Sequence, residues 1–581
     1  MKKLFILMLS IFTVAAASAQ VTTSGMNGTV TDEQGQPLAG ATVIAVHTPS
    51  GTQYGAVTNK DGRYNLQGLR TGGPYTVTFS FVGYQGVEFP GLELQLGETL
   101  TRNAFLKDSQ TLEAVVVTAD GRNSSMNVNR AGAVTSISSE QIELMPSVSR
   151  SMNDIMKLTP QASTTTSGLA IGGGNYRQSY VTVDGAAFNN AFGIGGNLPA
   201  GGSPISLDAL EQMSVSVTPY DVRQSGFTGG AINAVTKSGT NEFKASAYVF
   251  AKSDQLQGDK YDGGKLSLSE MRDNTLGFSI GAPIVKDKLF ATVDINIRRG
   301  KNITPNFSPF DMMRKMPAIY AATWDDGRIA EGKSGANPYG LLVGGGNAKA
   351  WSTQVGGRAS LEYKPVKGLS IQAVVSPFIN YSKTKTFRPA VWYTLADDPE
   401  TIGGYLDSGS SWSTNKLTEQ RNDNYNVTSQ VIANYIASFG RNGNHNLNVM
   451  VGYENYLMKS ESLSAARDNF EFTQYPYLNV GSEDYQTNSG TGTEYTSNSV
   501  FGRIMYDYDG RYLLQANVRH DGSSRFAKKY RWGTFPSFSA GWVVTREKFM
   551  EGTESWLDFM KVRASWGMLG NERIGSNYFP Y

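Results

Sequence analysis

One stretch of the sequence matches a nucleotide-binding loop, but its surroundings argue against that role. Residues Gly327 to Ser334 read GRIAEGKS, which fits the pattern G-x-x-x-x-G-K-S. Such a loop cradles phosphates only where a buried strand precedes it and a helix follows it. Here Trp324–Asp326 precedes the match, and Gly335–Pro338 follows it with residues that would break a helix at once. We interpret the match as a coincidence.

Residues that bind metals or act as nucleophiles are scarce. The chain has 3 histidines and no cysteine. His47, His445 and His520 stand alone, with no second ligand at the spacing of a metal site, so we interpret them as structural polar residues. The sequence contains no H-E-x-x-H and no G-x-S-x-G pattern. We therefore predict no catalytic residue, no metal and no cofactor.

The N-terminus and the charge balance indicate export rather than nucleic-acid binding. Residues 1–19 combine Lys2-Lys3, an apolar run and a small-residue ending at Ala19, which is typical of a signal peptide. The apolar run is shorter than the ~20 residues that a transmembrane helix needs. Lys plus Arg (52) nearly equals Asp plus Glu (50), so no nucleic-acid partner is expected. An exported chain without a helical span is either soluble or an outer-membrane barrel.

Residues 25–107 form a candidate small β-domain. Short strands alternate with turns such as Asp61-Gly62, which we interpret as a hairpin-type turn. In the segment after it, one face of a strand carries Tyr75, Val77, Phe79 and Phe81. Several short strands at this spacing predict a β-sandwich.

Residues 123–237 mix short helices and strands. Ser138–Gln141 has the capping-box pattern and opens a helix that ends at Leu144. Other elements predicted from the sequence are helices at Ser149–Leu158 and Leu207–Gln212 and strands at Ser179–Val183, Met213–Val217 and Ala231–Thr236. This region is therefore predicted to be α+β.

From residue 238 to residue 581, strands with a two-residue period dominate. Segments with one apolar face are Phe243–Lys252, Leu289–Ile297, Leu369–Tyr381, Val427–Phe439, Leu447–Tyr453, Val500–Tyr508, Tyr512–Val518 and Val562–Met568. This pattern is typical of lipid-facing barrel strands, although soluble sandwiches share the period. Long polar inserts favour the barrel, because they resemble extracellular loops: Lys301–Ala350, Thr384–Asn424 and Lys459–Thr496. Aromatic residues in or beside them could stack on sugars or form a membrane girdle, and we favour girdle or loop packing: Trp351, Trp392, Tyr393, Tyr405 and Trp412.

Between the sandwich and the α+β region lies a linker, residues 108–122. It contains one β-prone run, Thr111–Ala119, with the sequence TLEAVVVTA. An extended run in a linker can add as a strand to the sheet edge of a partner protein. The alternative is that it forms an edge strand of the preceding sandwich.

Several motifs resemble the TonB-dependent outer-membrane receptors. The most specific match is Gly229–Lys237, which resembles the end of their plug domain before the first barrel strand. Motifs similar to the SusC/RagA branch are Asp509–Tyr512, Arg519–Phe526, Phe535–Ser537 and Trp566–Asn571. Two stretches are closer to the Oar-like branch, Tyr180–Asn190 and Val217–Arg223. The first domain resembles the carboxypeptidase-regulatory-like, transthyretin-like fold through Gly28–Val30, Gly40–Val43, Asp61–Tyr64 and Val82–Tyr84.

The resemblance implies a mainly β fold: an N-terminal transthyretin-like sandwich, an α+β plug and an antiparallel transmembrane barrel. It implies active uptake of a large nutrient, an oligosaccharide or a peptide, with TonB and a SusD-type surface lipoprotein as partners and outer-membrane lipid around the barrel. The run that TonB would grip, the Ton box, is Leu112, Glu113, Ala114, Val115, Val116, Val117, Thr118 and Ala119. Plug residues expected to face the ligand are Tyr176, Arg177, Asn189, Asn190 and Phe192.

The strand count is lower than this resemblance requires. A plugged outer-membrane transporter has about 22 strands. We count only about eleven convincing strands between Phe243 and Met568. This predicts an incomplete receptor: a truncated frame, an assembly fragment or a join of two receptors. The competing hypothesis is a surface binding or adhesion protein that does not transport.

Overall fold

Strands make up most of the part of the chain that the structure describes. The computed structural model describes residues 23–108, 134–144, 155, 159, 162–165, 168–173, 180–183, 186–187, 210–216 and 230–568, the last with gaps at 238, 263, 266–268, 308, 407–412, 441–443, 551, 553–555 and 558–559. Within these residues, no helix has both the length and the apolar character needed to cross a membrane. The predicted signal peptide lies outside them, as does nearly all of the helix predicted at Ser149–Leu158.

Residues 23–108 form the predicted β-sandwich. Its strands are β1 (Thr23–Thr31), β2 (Thr42–His47), β3 (Thr52–Val57), β4 (Arg63–Arg70), β5 (Gly72–Ser80), β6 (Val87–Leu94), β7 (Thr99–Thr101) and β8 (Ala104–Phe105). One sheet has the order β4-β1-β7, with β8 also paired to β1, and the other has the order β3-β2-β5-β6. We call this domain the sandwich.

The sandwich encloses its own hydrophobic core. Tyr75, Val77 and Phe79 alternate along β5 and are fully buried, as their two-residue spacing predicts. The ring of Phe79 meets the rings of Tyr64 at 5.4 Å and of Phe89 at 5.7 Å, both edge to face. Every member of this core cluster lies between residues 26 and 106. The domain therefore has what it needs to be stable by itself.

The turn at Asp61-Gly62 is not a hairpin, contrary to the sequence prediction. It joins β3 to β4, which belong to different sheets of the sandwich. Gly62 has a φ of +69°, which a glycine adopts without strain. A D-G pair signals the local turn, but the pairing partners of the flanking strands depend on the whole sandwich.

A second core lies in the α+β region, which we call the plug region. Its elements are β9 (Val134–Ser138), a helix (Ser139–Leu144), β10 (Ala162–Thr165), β11 (Gly168–Ile171), β12 (Tyr180–Val183), β13 (Ala186–Ala187), β14 (Leu210–Ser216) and β15 (Ala231–Thr236). Five strands form a sheet in the order β13-β12-β15-β14-β9. The helix begins with the predicted capping box: Gln141 N–H donates to Ser138 Oγ at 3.4 Å, and Ser138 N–H donates to Gln141 Oε1 at 3.1 Å.

The helix predicted at Leu207–Gln212 is wrong in its described part. Residues 210–212 belong to β14, which is paired with β15 on one side and β9 on the other. Gln212 is buried, and its Oε1 accepts a 2.8 Å hydrogen bond from Leu96 N–H of the sandwich. Pairing on both edges outweighs the local helical pattern, because it satisfies every backbone group of a central strand.

A large antiparallel sheet follows. Its strands are β16 (Lys244–Ser253), β19 (Met271–Val285), β20 (Leu289–Pro305), β21 (Asn347–Tyr363), β22 (Leu369–Arg388), β25 (Lys416–Phe439), β26 (His445–Asp468), β27 (Gln486–Tyr508), β28 (Tyr512–Ser523), β29 (Trp532–Val543) and β30 (Lys561–Gly567). Among the described residues the sheet has 11 strands, each paired with the next along the chain. The order is that of an up-and-down barrel wall, as the sequence predicts.

Most connections at one end of the large sheet are short turns, with the connection 544–560 as an exception, and most at the other end are long loops. Turns at 286–288, 364–368 and 509–511 define the short-turn end. The long-loop end carries smaller elements: β17 (Lys260–Tyr261), β18 (Gly264–Lys265), β23 (Trp392–Thr394), β24 (Ile402–Tyr405) and helices at Pro309–Lys315 and Pro338–Gly344. The predicted inserts are too long, because β20, β22, β25, β26 and β27 extend into them.

Candidate functional site: the inner face of the large sheet and its contact with the sandwich

The large sheet exposes its apolar face and buries its polar face. On β20, Val293 and Ile295 are exposed, whereas Asp294 between them is only 5% exposed. Other exposed apolar residues are Phe278, Leu361, Val375, Val431, Val451, Val500, Ile504 and Leu514. Buried polar residues on the same strands include Arg358, Gln430, Asn448, Ser499, Arg503 and Asn517. A soluble sandwich has the opposite arrangement, so the prediction of lipid-facing strands is confirmed.

On the exposed face of the large sheet, aromatic and charged residues bound an apolar band, as they do in membrane proteins. Along β25 the exposed row begins with the charged Arg421 and Asp423, followed by Tyr425, Val431 and Tyr435. At ~3.3 Å per residue and a tilt of ~40°, the row from Tyr425 to Tyr435 rises about 25 Å, the height of the apolar band of outer-membrane barrels. The charged pair lies beyond this band, at the long-loop end.

The opposite, inner face carries a chain of charged and amide groups across neighbouring strands. Gln430 Nε2 donates to Glu454 Oε2 at 2.6 Å. Arg519 donates from Nη2 to Glu454 Oε1 at 3.1 Å and from Nε to Asp521 Oδ1 at 2.7 Å. Hydrogen bonds to charged groups are stronger than neutral ones, so this network holds its side chains in fixed positions. Its polar atoms can form hydrogen bonds with a hydrophilic molecule.

A cavity of about 1200 Å³ lies between this inner face and the sandwich. Sandwich residues such as Thr52 and Gln67 form one side, and Glu454 and Arg519 form part of the other. Aromatic side chains also line it: Tyr456, Tyr495, Tyr530, Trp532 and Phe535. A space with charged groups, amides and aromatic faces can hold a polar organic molecule of considerable size.

The sandwich contacts the short-turn end of the sheet through a buried ion pair. Arg70, at the end of β4, donates from Nη2 to Glu362 on β21. Lys364 Nζ lies 3.8 Å from Glu362 Oε1 and donates to Thr52 Oγ1 of the sandwich at 2.5 Å. The Lys364 ammonium also lies over the Phe290 ring, 4.8 Å from its centre. Burial and, next, the charge of Arg70 together lower the pKa of Lys364 to about 8, although the charge of Glu362 opposes the shift.

A second contact joins the sandwich to the end of β27. Asp507 accepts hydrogen bonds from the amides of Asn65 and Gln67, the latter at 3.1 Å. Its other oxygen accepts from Gly510 N–H at 2.6 Å. Asn59 Nδ2 donates to Asp509 Oδ1 at 2.8 Å. The carboxylates of Asp507 and Asp509, beside one turn, therefore accept hydrogen bonds from three side-chain amides of the sandwich.

His47 lies beside the first contact, against Ser50 and Tyr75. It is buried at the end of β2, with Nδ1 2.7 Å from Ser50 Oγ and its ring 5.0 Å from the ring of Tyr75. Burial lowers the pKa of His47 to about 3, helped by the positive charges of Arg70 and Lys364. The imidazole is thus held neutral at ordinary pH.

We expect the stability of the chain to fall on acidification through His47. Because its folded pKa of about 3 is below the ordinary 6.5, the unfolded chain binds the proton more strongly between these values. Stability is therefore full above pH 6.5 and declines below it, by about 2 kcal/mol at pH 5. Thermal unfolding of detergent-purified protein at pH 7 and pH 5 measures the effect. His47→Asn should lose much of the difference; an unchanged difference contradicts the assignment.

The residues predicted to contact TonB and the ligand lie outside the described part of the chain. This holds for the run Leu112–Ala119 and for all five ligand-facing candidates: Tyr176, Arg177, Asn189, Asn190 and Phe192. Their roles therefore stay predictions. Trp412 also lies outside.

Other residues noted in the sequence have structural surroundings. His445 Nδ1 lies 2.6 Å from the Tyr506 hydroxyl, and His520 Nδ1 lies 2.9 Å from Thr534 Oγ1. Tyr393 packs beside a buried loop cluster, Leu341, Val391 and Leu406. Among the described residues, no group of three acidic, His or Cys side chains could hold a metal ion.

The match to a nucleotide-binding loop lies in the connection after β20, which ends at Pro305. A phosphate-binding loop is preceded by a strand. Here the preceding residues form a turn, in which Gly327 N–H donates to Trp324 O at 2.9 Å. The following helix, Pro338–Gly344, has Asn337 as its N-cap. The arrangement agrees with our interpretation of coincidence.

Sequence reasoning missed the contact between the sandwich and the sheet. Asn65, Gln67 and Arg70 on β4 and Asn59 in the preceding turn are ordinary polar residues, and their partners lie hundreds of positions away. The one local signal is Gly68, with a φ of +70° and no room for a Cβ against Asn448 and Ile436 of the sheet.

Comparison with known proteins agrees with this architecture. Residues 25–107 match the carboxypeptidase regulatory-like domain family, and residues 235–315 match an outer membrane beta barrel domain family. The chain is 24% identical to TonB-dependent receptor P39 of Formosa agariphila, over 98% of this chain and 59% of that protein. It is 25% identical to TonB-dependent receptor SusC of Bacteroides thetaiotaomicron, over 99% of this chain and 64% of that protein.

A third relative is similar over about half of the chain. The TonB-dependent transporter Oar of Myxococcus xanthus is 28% identical over 52% of this chain and 28% of its own length. The chain spans about 60% of the length of the P39 and SusC receptors.

A solved structure has a similar fold. The structure of the RagAB peptide transporter superimposes with a TM-score of 0.52 and 16% identity, over 77% of this chain and 61% of that one. The exposed apolar band and these relatives place the chain in the outer membrane, with the sandwich on the periplasmic side. The chain is therefore homologous to the TonB-dependent outer-membrane receptors of the SusC/RagA type and shares their fold.

Proposed function

We propose that this protein acts as a TonB-dependent receptor for the active uptake of a large nutrient, an oligosaccharide or a peptide. The observation that carries the proposal is the polarity of the large sheet, which turns Val431 and its apolar neighbours outward and Gln430, Glu454 and Arg519 inward. A wall of this kind isolates a hydrophilic path from lipid. The protein moves its cargo without catalysing a reaction on it.

The plug region is the element that blocks this path. Its buried cluster, with Val181, Met213 and Ile232 among its members, makes it a compact unit that moves or rearranges as a body. A pull from the periplasm is the energy input that opens it. We assign the grip for that pull to the Ton box, Leu112–Ala119, because an extended β-prone run adds readily to the sheet edge of TonB.

The cargo and the second partner follow from the SusC/RagA resemblance. RagAB is described as a peptide transporter, and a SusD-type surface lipoprotein would act as a lid above the long-loop end. Candidate contacts to the cargo on the plug are Tyr176, Arg177, Asn189, Asn190 and Phe192. Amide, guanidinium and aromatic groups of this kind suit both sugars and peptides.

Deleting Thr111–Ala119 should abolish uptake while leaving binding at the cell surface intact. Without the run, TonB has no strand to add to its sheet, so the plug receives no pull. The measurement compares energy-dependent accumulation of labelled oligosaccharides and peptides with their binding to cells whose proton gradient has been collapsed. Surface binding without any uptake, even in the unaltered protein, would instead indicate the adhesion hypothesis.

A matched pair of substitutions separates the backbone role of the run from its side chains. Val116→Pro removes a backbone N–H and should reduce uptake strongly, because proline cannot donate to a ladder. Val116→Thr keeps both the backbone donor and the β-branched shape, and should transport normally. Equal uptake by the two variants would refute the Ton-box assignment.

A further inference from the structure

The sandwich lies across the short-turn end of the large sheet, on its inner side. It meets the sheet at Glu362, Lys364, Asp507 and Asp509, all within a few residues of the short turns. Gly68 brings β4 against Ile436 of β25, whose N–H donates to the carbonyl of Gly368 in a short turn. In an outer-membrane barrel the short turns face the periplasm, so the cargo must leave at this end.

The contact between the sandwich and the large sheet is polar. The buried apolar residues of the sandwich lie in its own interior. The sandwich binds the sheet through one buried ion pair, hydrogen bonds from side-chain amides to two carboxylates, and a hydrogen bond from a lysine to a hydroxyl. The hydrophobic cluster of the sandwich includes no residue of the sheet. Separation would therefore expose mainly groups that water can solvate, as in contacts between domains that move relative to each other.

The connection between the sandwich and the plug region adds a mechanical link. The sandwich ends at 108, and the first described plug strand begins at Val134. The run proposed as the TonB grip, Thr111–Ala119, lies between them, directly after the sandwich. A pull on this run acts on the sandwich as well as on the plug.

We propose that the sandwich is a second closure of the transport path, latched over the periplasmic exit by the Arg70–Glu362 and Asn65/Gln67–Asp507 contacts and released before the cargo passes. This rests on the proposed uptake function. The latch holds when the ion pair is intact, because an unpaired charge left buried at Arg70 or Glu362 is unfavourable. It opens as a unit, because the sandwich core is independent of the sheet.

The native chain has no cysteine, so a single introduced thiol reports on the latch. Asn448 lies on the inner face, is 3% exposed, and is covered by Gly68 of the sandwich. In the Asn448→Cys protein, in isolated outer membranes, we expect slow reaction with a maleimide. Arg70→Glu and Glu362→Arg should each speed labelling at least tenfold. The double variant Arg70→Glu/Glu362→Arg should restore slow labelling, which a folding defect would not do.

The exposed Lys107 supplies the control for charge. Lys107→Glu makes the same reversal on the same domain, away from the described contacts, and should label as slowly as the parent. Labelling that is equally slow in all variants, or fast in Arg70→Glu and not restored by the swap, overturns the latch.

A reversible bridge tests whether the sandwich must leave. Asn59→Cys/Asp509→Cys, joined by a short reagent that forms a disulfide to each thiol, fixes the sandwich to the turn after β27. We expect uptake to stop in the bridged protein and to return on reduction. Uptake that continues while bridged overturns the closure. If the reduced protein also takes up nothing, the uptake function itself fails, together with the closure that rests on it, while the labelling still reports the docked contact.

Discussion

Val431→Lys is expected to destabilise the large sheet in a membrane by about 2–4 kcal/mol. Val431 lies on the apolar face of β25 between Tyr425 and Tyr435, and the residue is 48% exposed. A lysine at this height must place its ammonium in hydrocarbon or reach for the interface, and either is costly. The measurement is the fraction of protein that keeps its folded, heat-modifiable gel mobility in phospholipid vesicles through a urea series.

Leu463→Lys provides the matched control on the neighbouring strand. Leu463 is 56% exposed on the outward face of β26, opposite Arg421 and beyond the exposed Lys459–Glu461 pair. Since this height is outside the apolar band, the lysine should cost about 0–1 kcal/mol. An equal loss for both variants would mean that the exposed apolar face does not contact lipid.

The sequence predicts the large sheet well wherever its two faces differ in polarity. Leu289–Ile297 alternates cleanly, and β20 begins at Leu289, because one face meets lipid and the other a polar interior. The alternation disappears above the aromatic row. In Lys459–Asp468 and Gln486–Thr496 both faces are mainly polar, yet β26 and β27 remain paired with each other through this part. Strands that extend beyond the membrane into water need no apolar face. Their sequences therefore lack the alternation of apolar and polar residues that predicts a strand.

The candidate site was less predictable, because it depends on pairs far apart in the chain. The Ser138–Gln141 capping box could be predicted, since both partners lie within one helical turn. The burial of Gln212 could not be predicted, because its hydrogen-bond partner, Leu96, belongs to another domain. The same holds for Arg70 and Glu362, whose complementary charges carry no local pattern. Sequence periodicity predicts elements, whereas contacts between domains require the assembled surfaces.

Phe79→Ala is expected to unfold the sandwich selectively, with a loss of about 3–5 kcal/mol. Phe79 is fully buried on β5 and contacts Tyr64 and Phe89 edge to face, so alanine removes both ring contacts and leaves a cavity. This loss is a large share of the total stability of a small domain, about 5–15 kcal/mol. Trypsin digestion of intact outer membranes in a urea series measures when the sandwich is cleaved.

Phe105→Ala is the control, because Phe105 on β8 is 66% exposed and its removal should change stability by no more than about 0.5 kcal/mol. In both variants the large sheet should keep its heat-modifiable mobility, since the sandwich core contains no sheet residue. Cleavage of the Phe79→Ala sandwich at the same urea concentration as the parent would contradict the burial. Loss of the folded sheet together with the sandwich would show that the two units do not fold independently, because a polar contact alone would not couple their stabilities so strongly.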